Sequence, residues 1–134
     1  MLSLPGRARI FVAREPVDFR KAFDGLCSIV RDGFGDDPFG GDVFVFFNRR
    51  RDRIKLLTWD GNGFWLFYKR LERGTFEPLS LPEDVTRCEV ERARLSMLLE
   101  GIAVKSVSFR KHFTRRIRIA PRDEQGQERP AASG

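Results

Sequence analysis

Three β-rich runs separated by two short polar turns dominate the middle of the chain. They cover residues 43–48, 53–59 and 64–70, and the second turn reads Asp60-Gly61-Asn62-Gly63. Strand-forming runs joined by short turns of Gly, Asn and Asp are typical of antiparallel hairpins. This stretch predicts three sequential antiparallel strands, and the rest of the chain must supply the layers that cover them.

A two-residue loop at Gly61-Asn62 fixes the register of the last two strands. The expected cross-strand pairs are Trp59 with Phe64, Leu57 with Leu66, Thr58 with Trp65, and Leu56 with Phe67. Because cross-strand partners lie on the same face, both faces of this sheet are apolar. One face is expected to be covered by a helix, and the other by a second helix or by a partner.

Helical periodicity appears before these strands. Asp18 is a good N-cap, and apolar residues then recur at helical spacing as far as Val30. Gly33 and Gly35 are expected to end this helix. A β-rich run at residues 8–13 precedes it and predicts a first strand.

The region after the strands predicts a shorter helix. Residues 84–90 are compatible with an edge strand, and residues 91–100 with a helix that points Leu95, Leu98 and Leu99 inward and ends at Gly101. The predicted fold is therefore α+β. It is a small antiparallel sheet of about four to five strands packed against one main amphipathic helix plus a short second helix.

Positive charge is concentrated near the C-terminal end of the chain. Residues 101–122 hold seven Lys/Arg and no Asp or Glu, although the net charge of all 134 residues is only +6. The basicity is therefore regional, which favours a polyanion-facing segment. We expect a single domain at 1–102, a basic C-terminal arm or hairpin at 103–120, and a disordered tail at 121–134.

Several classes of protein are disfavoured by composition. The two cysteines form no C-x-x-C pair, and His112 is the single histidine, so no metal site or other cofactor is expected. The N-terminus lacks the apolar core of a signal peptide, and no run of about 18 apolar residues could span a bilayer. A cytoplasmic protein without membrane contact is predicted.

Arginines and lysines around the strands form the main candidate site. Guanidinium groups bind phosphate through paired donors, and a turn projects them beyond the sheet. The candidate nucleic-acid-binding residues are Arg49, Arg50, Arg51, Arg53, Lys55, Lys69, Arg70, Arg73, Arg110, Lys111, Arg115, Arg116 and Arg118. Two alternatives stay open: a charged hairpin tip that only keeps the strands soluble, and a basic arm that docks on an acidic protein.

Aromatic and acidic residues offer two further interpretations. Trp59, Trp65, Phe67 and Tyr68 could stack on bases, although core packing is the favoured interpretation. Asp36, Asp37 and Asp60 could hold catalytic metals, but each stands in a Gly- or Pro-containing loop where Asp is an ordinary turn residue. A non-enzyme is therefore predicted.

Ordered sequence blocks resemble one known family. They are residues 16–26 (PVDFRKAFDGL), 37–46 (DPFGGDVFVF), 53–57 (RIKLL), 59–64 (WDGNGF), 68–74 (YKRLERG) and 98–102 (LLEGI). These blocks are similar, in the same order, to those of the TnpB-type accessory proteins of insertion-sequence-66-like transposons. That family is unrelated to the RNA-guided nuclease that shares the TnpB name. The resemblance covers about residues 8–102.

The resemblance implies a small protein that supports DNA transposition while a separate transposase subunit cuts the strands. It supplies no catalytic residues to carry over. The implied partners are the transposase of the same element and the DNA of the transposon ends, with a homo-oligomer through the apolar sheet face as a further arrangement. The alternative function is a purely protein–protein adaptor of the transposase complex that makes no DNA contact.

Overall fold

A computed structural model describes residues 6–101 of the chain, which form one five-stranded sheet and two helical elements. The elements are β1 (Ile10–Ala13), α1 (Phe23–Ser28) with its π-helical continuation (Ile29–Phe34), β2 (Val43–Phe47), β3 (Arg53–Trp59), β4 (Phe64–Arg70), β5 (Arg87–Val90) and α2 (Arg92–Leu99). The predicted α+β class is confirmed, with one main helix and one short helix.

The sheet has the strand order β4-β3-β2-β1-β5. The predicted register of β3 and β4 is confirmed, since Trp59 pairs with Phe64 and Leu56 with Phe67. One pair departs from the antiparallel expectation, because β1 and β2 are parallel. Parallel neighbours need a crossover connection, and the helical segment between β1 and β2 supplies it.

Two apolar clusters lie on opposite faces of the sheet. Leu26 and Val30 of the first helix pack with Phe44 and Phe46 of β2 on one face, which we call the α1 face. On the opposite α2 face, the residues packed against the strands include Leu95 and Leu98 of α2 and Phe76 of the loop before β5. The centres of both sheet faces are therefore covered within residues 6–101.

This packing corrects the expectation that an apolar sheet face stands open to a partner. Phe76, Leu95 and Leu98 are at most 4% exposed and cover the centre of the α2 face. The homo-oligomer stays a prediction. Because this sheet face is covered, it gives that prediction no support.

The first helix begins later than expected. Its α-helical part starts at Phe23, and Ala22 occupies the N-cap position without a side-chain hydrogen bond. Asp18 instead accepts a hydrogen bond from the backbone N–H of Arg20 at 3.0 Å, in a separate turn. The helix ends at Gly35, which has a φ of 73°. Gly33, the other residue expected to end the helix, lies inside the π-helical segment.

The predicted C-terminal arm at 103–120 and the tail at 121–134 lie outside the described residues. No helix within residues 6–101 has the length and apolar character needed to cross a membrane. The cytoplasmic location stays a prediction.

Candidate nucleic-acid interface

An arginine-lined cleft lies between the turn that follows β1 and the turn that joins β2 to β3. Its volume is about 560 Å³. The lining residues are Pro16, Val17, Asp18, Phe19, Arg20, Asn48, Arg49, Arg50 and Arg53. Four guanidinium-bearing residues therefore share one concave surface with a single carboxylate, Asp18. We refer to it below as the arginine cleft.

The β2–β3 wall of the cleft is held by a network around Asn48. The Asn48 side chain donates to Asp52 Oδ1 at 2.7 Å and accepts from the backbone N–H of Arg53 at 3.0 Å. The hydrogen bond from Asn48 lowers the pKa of Asp52 and keeps it charged. The turn is thus closed by short polar side chains, which leaves the exposed Arg49 and Arg50 to line the cleft.

Arg51 has a different role from its neighbours. Its φ is 59°, a left-handed conformation that is unusual for a residue with a side chain. Its guanidinium lies 4.2 Å from the Phe47 ring centroid and donates to the backbone oxygen of Glu77 at 3.0 Å. Its own backbone oxygen accepts from the Phe76 N–H at 2.7 Å. Arg51 therefore joins the turn to the Phe76 loop and does not line the cleft. Its predicted contact with nucleic acid stays a prediction.

The opposite wall is anchored by Lys55, which the sequence had placed among the DNA-binding residues. Lys55 is only 4% exposed. Its Nζ donates to the backbone oxygens of Phe19 at 2.9 Å and Lys21 at 2.8 Å. It also lies 4.8 Å from the Phe19 ring centroid. Burial lowers its pKa. Lys55 therefore fixes the 16–21 segment to the sheet and is not available to a phosphate.

Arg20 is an arginine of the cleft that the sequence did not reveal as a binding residue. It lies two residues after Asp18, the expected N-cap of the first helix, and is absent from the predicted binding residues. Its guanidinium makes a two-point contact with Asp18, with Nη2 at 2.6 Å and Nε at 3.0 Å from Oδ2. This contact lowers the pKa of Asp18 to about 2. One negative charge therefore persists in the cleft at neutral pH.

The remaining described candidates lie outside the cleft lining. Lys69 donates to the backbone oxygen of Leu99 at the end of α2, on the α2 face. Arg70 pairs with Glu72 at 3.0 Å, and Arg73 is exposed in the loop beyond β4. The structure therefore brings together Arg49, Arg50 and Arg53 of the predicted set.

The five predicted C-terminal residues lie outside the described part of the chain. They are Arg110, Lys111, Arg115, Arg116 and Arg118. Their role stays a prediction.

The carboxylates considered as metal ligands are engaged in local structure. Asp36 pairs with Arg87 at 2.8 Å, and Asp37 accepts from the Phe39 N–H at 2.9 Å. Asp60 accepts from the Trp65 indole at 2.6 Å and from two backbone N–H groups of its turn. Within residues 6–101, no group of three or more His, Cys, Asp and Glu side chains is placed to share a metal ion. Cys27 and Cys88 are free thiols.

The aromatic residues of β3 and β4 are less buried than expected. Trp65 and Tyr68 are 54% and 52% exposed, whereas Trp59 and Phe67 are partly buried. The core interpretation is therefore wrong for Trp65 and Tyr68. An edge strand has no neighbour on one side, and β4 is an edge strand of this sheet, which explains why its rings are left open.

Comparison with known proteins identifies the family of this chain. A family model described as "IS66 Orf2 like protein" matches residues 8–109. Among curated proteins, uncharacterized protein y4hO of Sinorhizobium fredii is 34% identical over 102 residues, 76% of this chain and 87% of that protein. Uncharacterized protein y4jC of the same organism is 47% identical over 68 residues.

That second match covers 51% of this chain and spans 58% of the length of y4jC. No solved structure matches the chain significantly. The family match includes both walls of the arginine cleft. The chain belongs to the IS66 Orf2-like family.

Proposed function

We propose that this protein is a transposition accessory factor that holds DNA by its phosphate backbone in the arginine cleft and leaves strand chemistry to the transposase. Membership of the family suggests an accessory role in transposition and association with the transposase. The observation that carries the DNA-binding part is the convergence of Arg20, Arg49, Arg50 and Arg53 on one concave surface.

The charge of the cleft fits an anionic ligand. Four arginines and one aspartate line it, so its formal charge is positive. Among residues 6–101, Arg49 and Arg50 make no hydrogen bond or ion pair, and both are exposed. Guanidinium groups that make no hydrogen bond within residues 6–101 can donate two parallel hydrogen bonds to a phosphate.

The rigidity of the walls supports the same ligand. Lys55 fixes one wall through two backbone oxygens, and Asn48 fixes the other. A preorganised site loses less conformational entropy when it binds. The engaged carboxylates Asp36, Asp37 and Asp60 support the non-catalytic part of the proposal.

The test is a salt series of binding measurements with the full-length protein. Fluorescence anisotropy is recorded for labelled transposon-end and unrelated duplexes, with wild type and Arg49→Ala/Arg50→Ala. Each phosphate contact that is lost reduces the slope of log K against log salt by about 0.9. We therefore expect a shallower slope and weaker binding for the double variant.

The matched control is Arg7→Ala/Arg31→Ala. It removes the same charge from two exposed arginines outside the cleft lining. Equal loss of affinity in both double variants would show a general charge effect and contradict the cleft. Absence of binding to both duplex and single-stranded DNA near physiological salt would favour the adaptor function, and the transposase would then be the partner to mix in.

A further inference from the structure

Tyr68 places an aromatic ring at the border of the arginine cleft. Its hydroxyl oxygen accepts a hydrogen bond from Arg53 Nη1 at 3.3 Å. Its ring meets the Phe19 ring edge-on, with centroids 5.8 Å apart and an interplanar angle of 85°. Because Arg53 and Phe19 both line the cleft, the tyrosine extends that surface with a flat apolar group.

The ring is held in place and yet open. Lys55 Nζ lies 5.0 Å from its centroid, so that a buried cation occupies one side of the ring. Tyr68 is nevertheless 52% exposed. About half of the residue's surface is therefore open to a ligand. Contacts of its hydroxyl with Arg53 and of its ring with Phe19 and Lys55 hold the exposed ring in place, so it offers a preorganised surface for stacking.

We propose that Tyr68 is a base-stacking residue of the arginine cleft, and that the preferred ligand is DNA with unpaired bases. This inference rests on the proposed function, since the same arginines would hold the phosphates. Bases in a duplex are already stacked within the helix, whereas an unpaired base can stack on an exposed aromatic ring. Positive groups beside such a ring are the usual combination in single-strand binding surfaces.

Trp65 provides a comparison on the same strand. Trp65 is 54% exposed, about as much as Tyr68. Because the two residues are three positions apart in the strand, their side chains point to opposite faces of the sheet. The Trp65 ring stacks on Phe67 at 5.7 Å, and its indole N–H donates to Asp60 at 2.6 Å. Exposure alone would give both rings the same role, whereas only Tyr68 contacts residues of the cleft.

The experiment measures the affinity of the full-length protein for three labelled DNAs of one sequence. They are a single strand, a duplex, and a duplex with an unpaired central bubble. The proteins are wild type, Tyr68→Leu, Tyr68→Phe and Trp65→Leu. We expect wild type to bind the single strand and the bubble on the order of tenfold more tightly than the duplex. Tyr68→Leu should lose this preference, so that its affinities for the three DNAs become similar, while Tyr68→Phe and Trp65→Leu retain the preference.

A measurement that needs no variant accompanies these. A single strand carrying 5-bromouracil is irradiated in complex with the wild-type protein, and the cross-linked peptide is mapped by mass spectrometry. A cross-link at Tyr68 supports the inference, and a cross-link confined to other residues overturns it.

The two proposals fail separately. Wild type that binds all three DNAs equally, with affinity that depends on Arg49 and Arg50, overturns the inference and leaves the proposed function intact. Loss of the preference in Trp65→Leu as large as in Tyr68→Leu also overturns the inference. Binding that is unchanged in Arg49→Ala/Arg50→Ala contradicts the cleft itself.

Discussion

At the residue scale, the same side-chain type serves opposite purposes depending on where its head group lies. Arg49 and Arg50 project into the cleft, whereas Arg51 is folded onto Phe47 and the backbone of the neighbouring loop. Lys55 is buried although it carries a charge. Its acceptors are backbone oxygens, and the sequence does not show which backbone oxygens a side chain will contact. For this reason Lys55 was predicted to bind DNA although its contacts are structural.

Replacement of Lys55 tests this structural role. In Lys55→Met, the backbone oxygens of Phe19 and Lys21 lose their donor, and a hydrogen bond to a charged group contributes about 1.5–3 kcal/mol. We expect a lower free energy of unfolding in urea and weaker DNA binding, because one cleft wall loosens. The control is Lys21→Met, whose side chain is exposed. Equal stability of the two variants would contradict the anchoring role.

Asp18 provides a prediction about pH. The hydrogen bond from Arg20 lowers its pKa from 3.8 to about 2, so the contact contributes fully above pH 3.8 and is lost as the pH falls through 2. An NMR titration of the side-chain carboxyl should give a midpoint near 2 in wild type and a higher midpoint, still below 3.8, in Arg20→Gln, because the backbone N–H of residue 20 continues to donate to Asp18. An unshifted midpoint in wild type would show that the two side chains are apart in solution.

At the element scale, the accuracy of the sequence predictions follows the range of the interactions. The strands β2, β3 and β4 and the register of the last two were predicted, because turn chemistry between neighbouring strands fixes them. The parallel pairing of β1 with β2 was missed, because residue 10 pairs with residue 43 and no turn encodes that distance. The cleft depends on the same long-range placement, since it joins segments 16–20 and 48–53.

The covering role of α2 gives a prediction about stability. Leu98 is 2% exposed and packs into the cluster on the α2 face. Leu98→Ala should lower the free energy of unfolding by about 2–5 kcal/mol. Met97→Ala, one position away on the same helix and only partly buried, should cost less. Similar losses in a urea titration would indicate that α2 does not seal this face.

At the scale of the whole molecule, two basic regions stand apart in sequence. The cleft lies within residues 16–53, and the segment 101–122 carries seven Lys/Arg without an acidic residue. Among residues 6–101, the members of the buried clusters on both sheet faces run from residue 10 to residue 98. We therefore expect a chain that ends at Gly101 to fold, which allows the two regions to be measured separately.

Salt dependence separates them. Each C-terminal cation that meets a phosphate adds about 0.9 to the slope of log K against log salt on duplex DNA. The full-length protein should give a steeper slope than the chain ending at Gly101. The slope that remains should fall again in Arg49→Ala/Arg50→Ala. Equal slopes for the two chain lengths would remove residues 110–118 from the interface.

The position of β1 also determines the order in which the chain can fold. β1 is the first strand of the described sequence, yet it lies between β2 and β5, the last strand. Strands β2, β3 and β4 can pair as soon as residue 70 is available, because their contacts are local. During synthesis β1 keeps one unpaired edge until residues 87–90 emerge. The sheet is therefore completed only when the last strand, β5, is made. A ribosome that stalls before that point leaves the edge of β1 open to chaperones or to other chains.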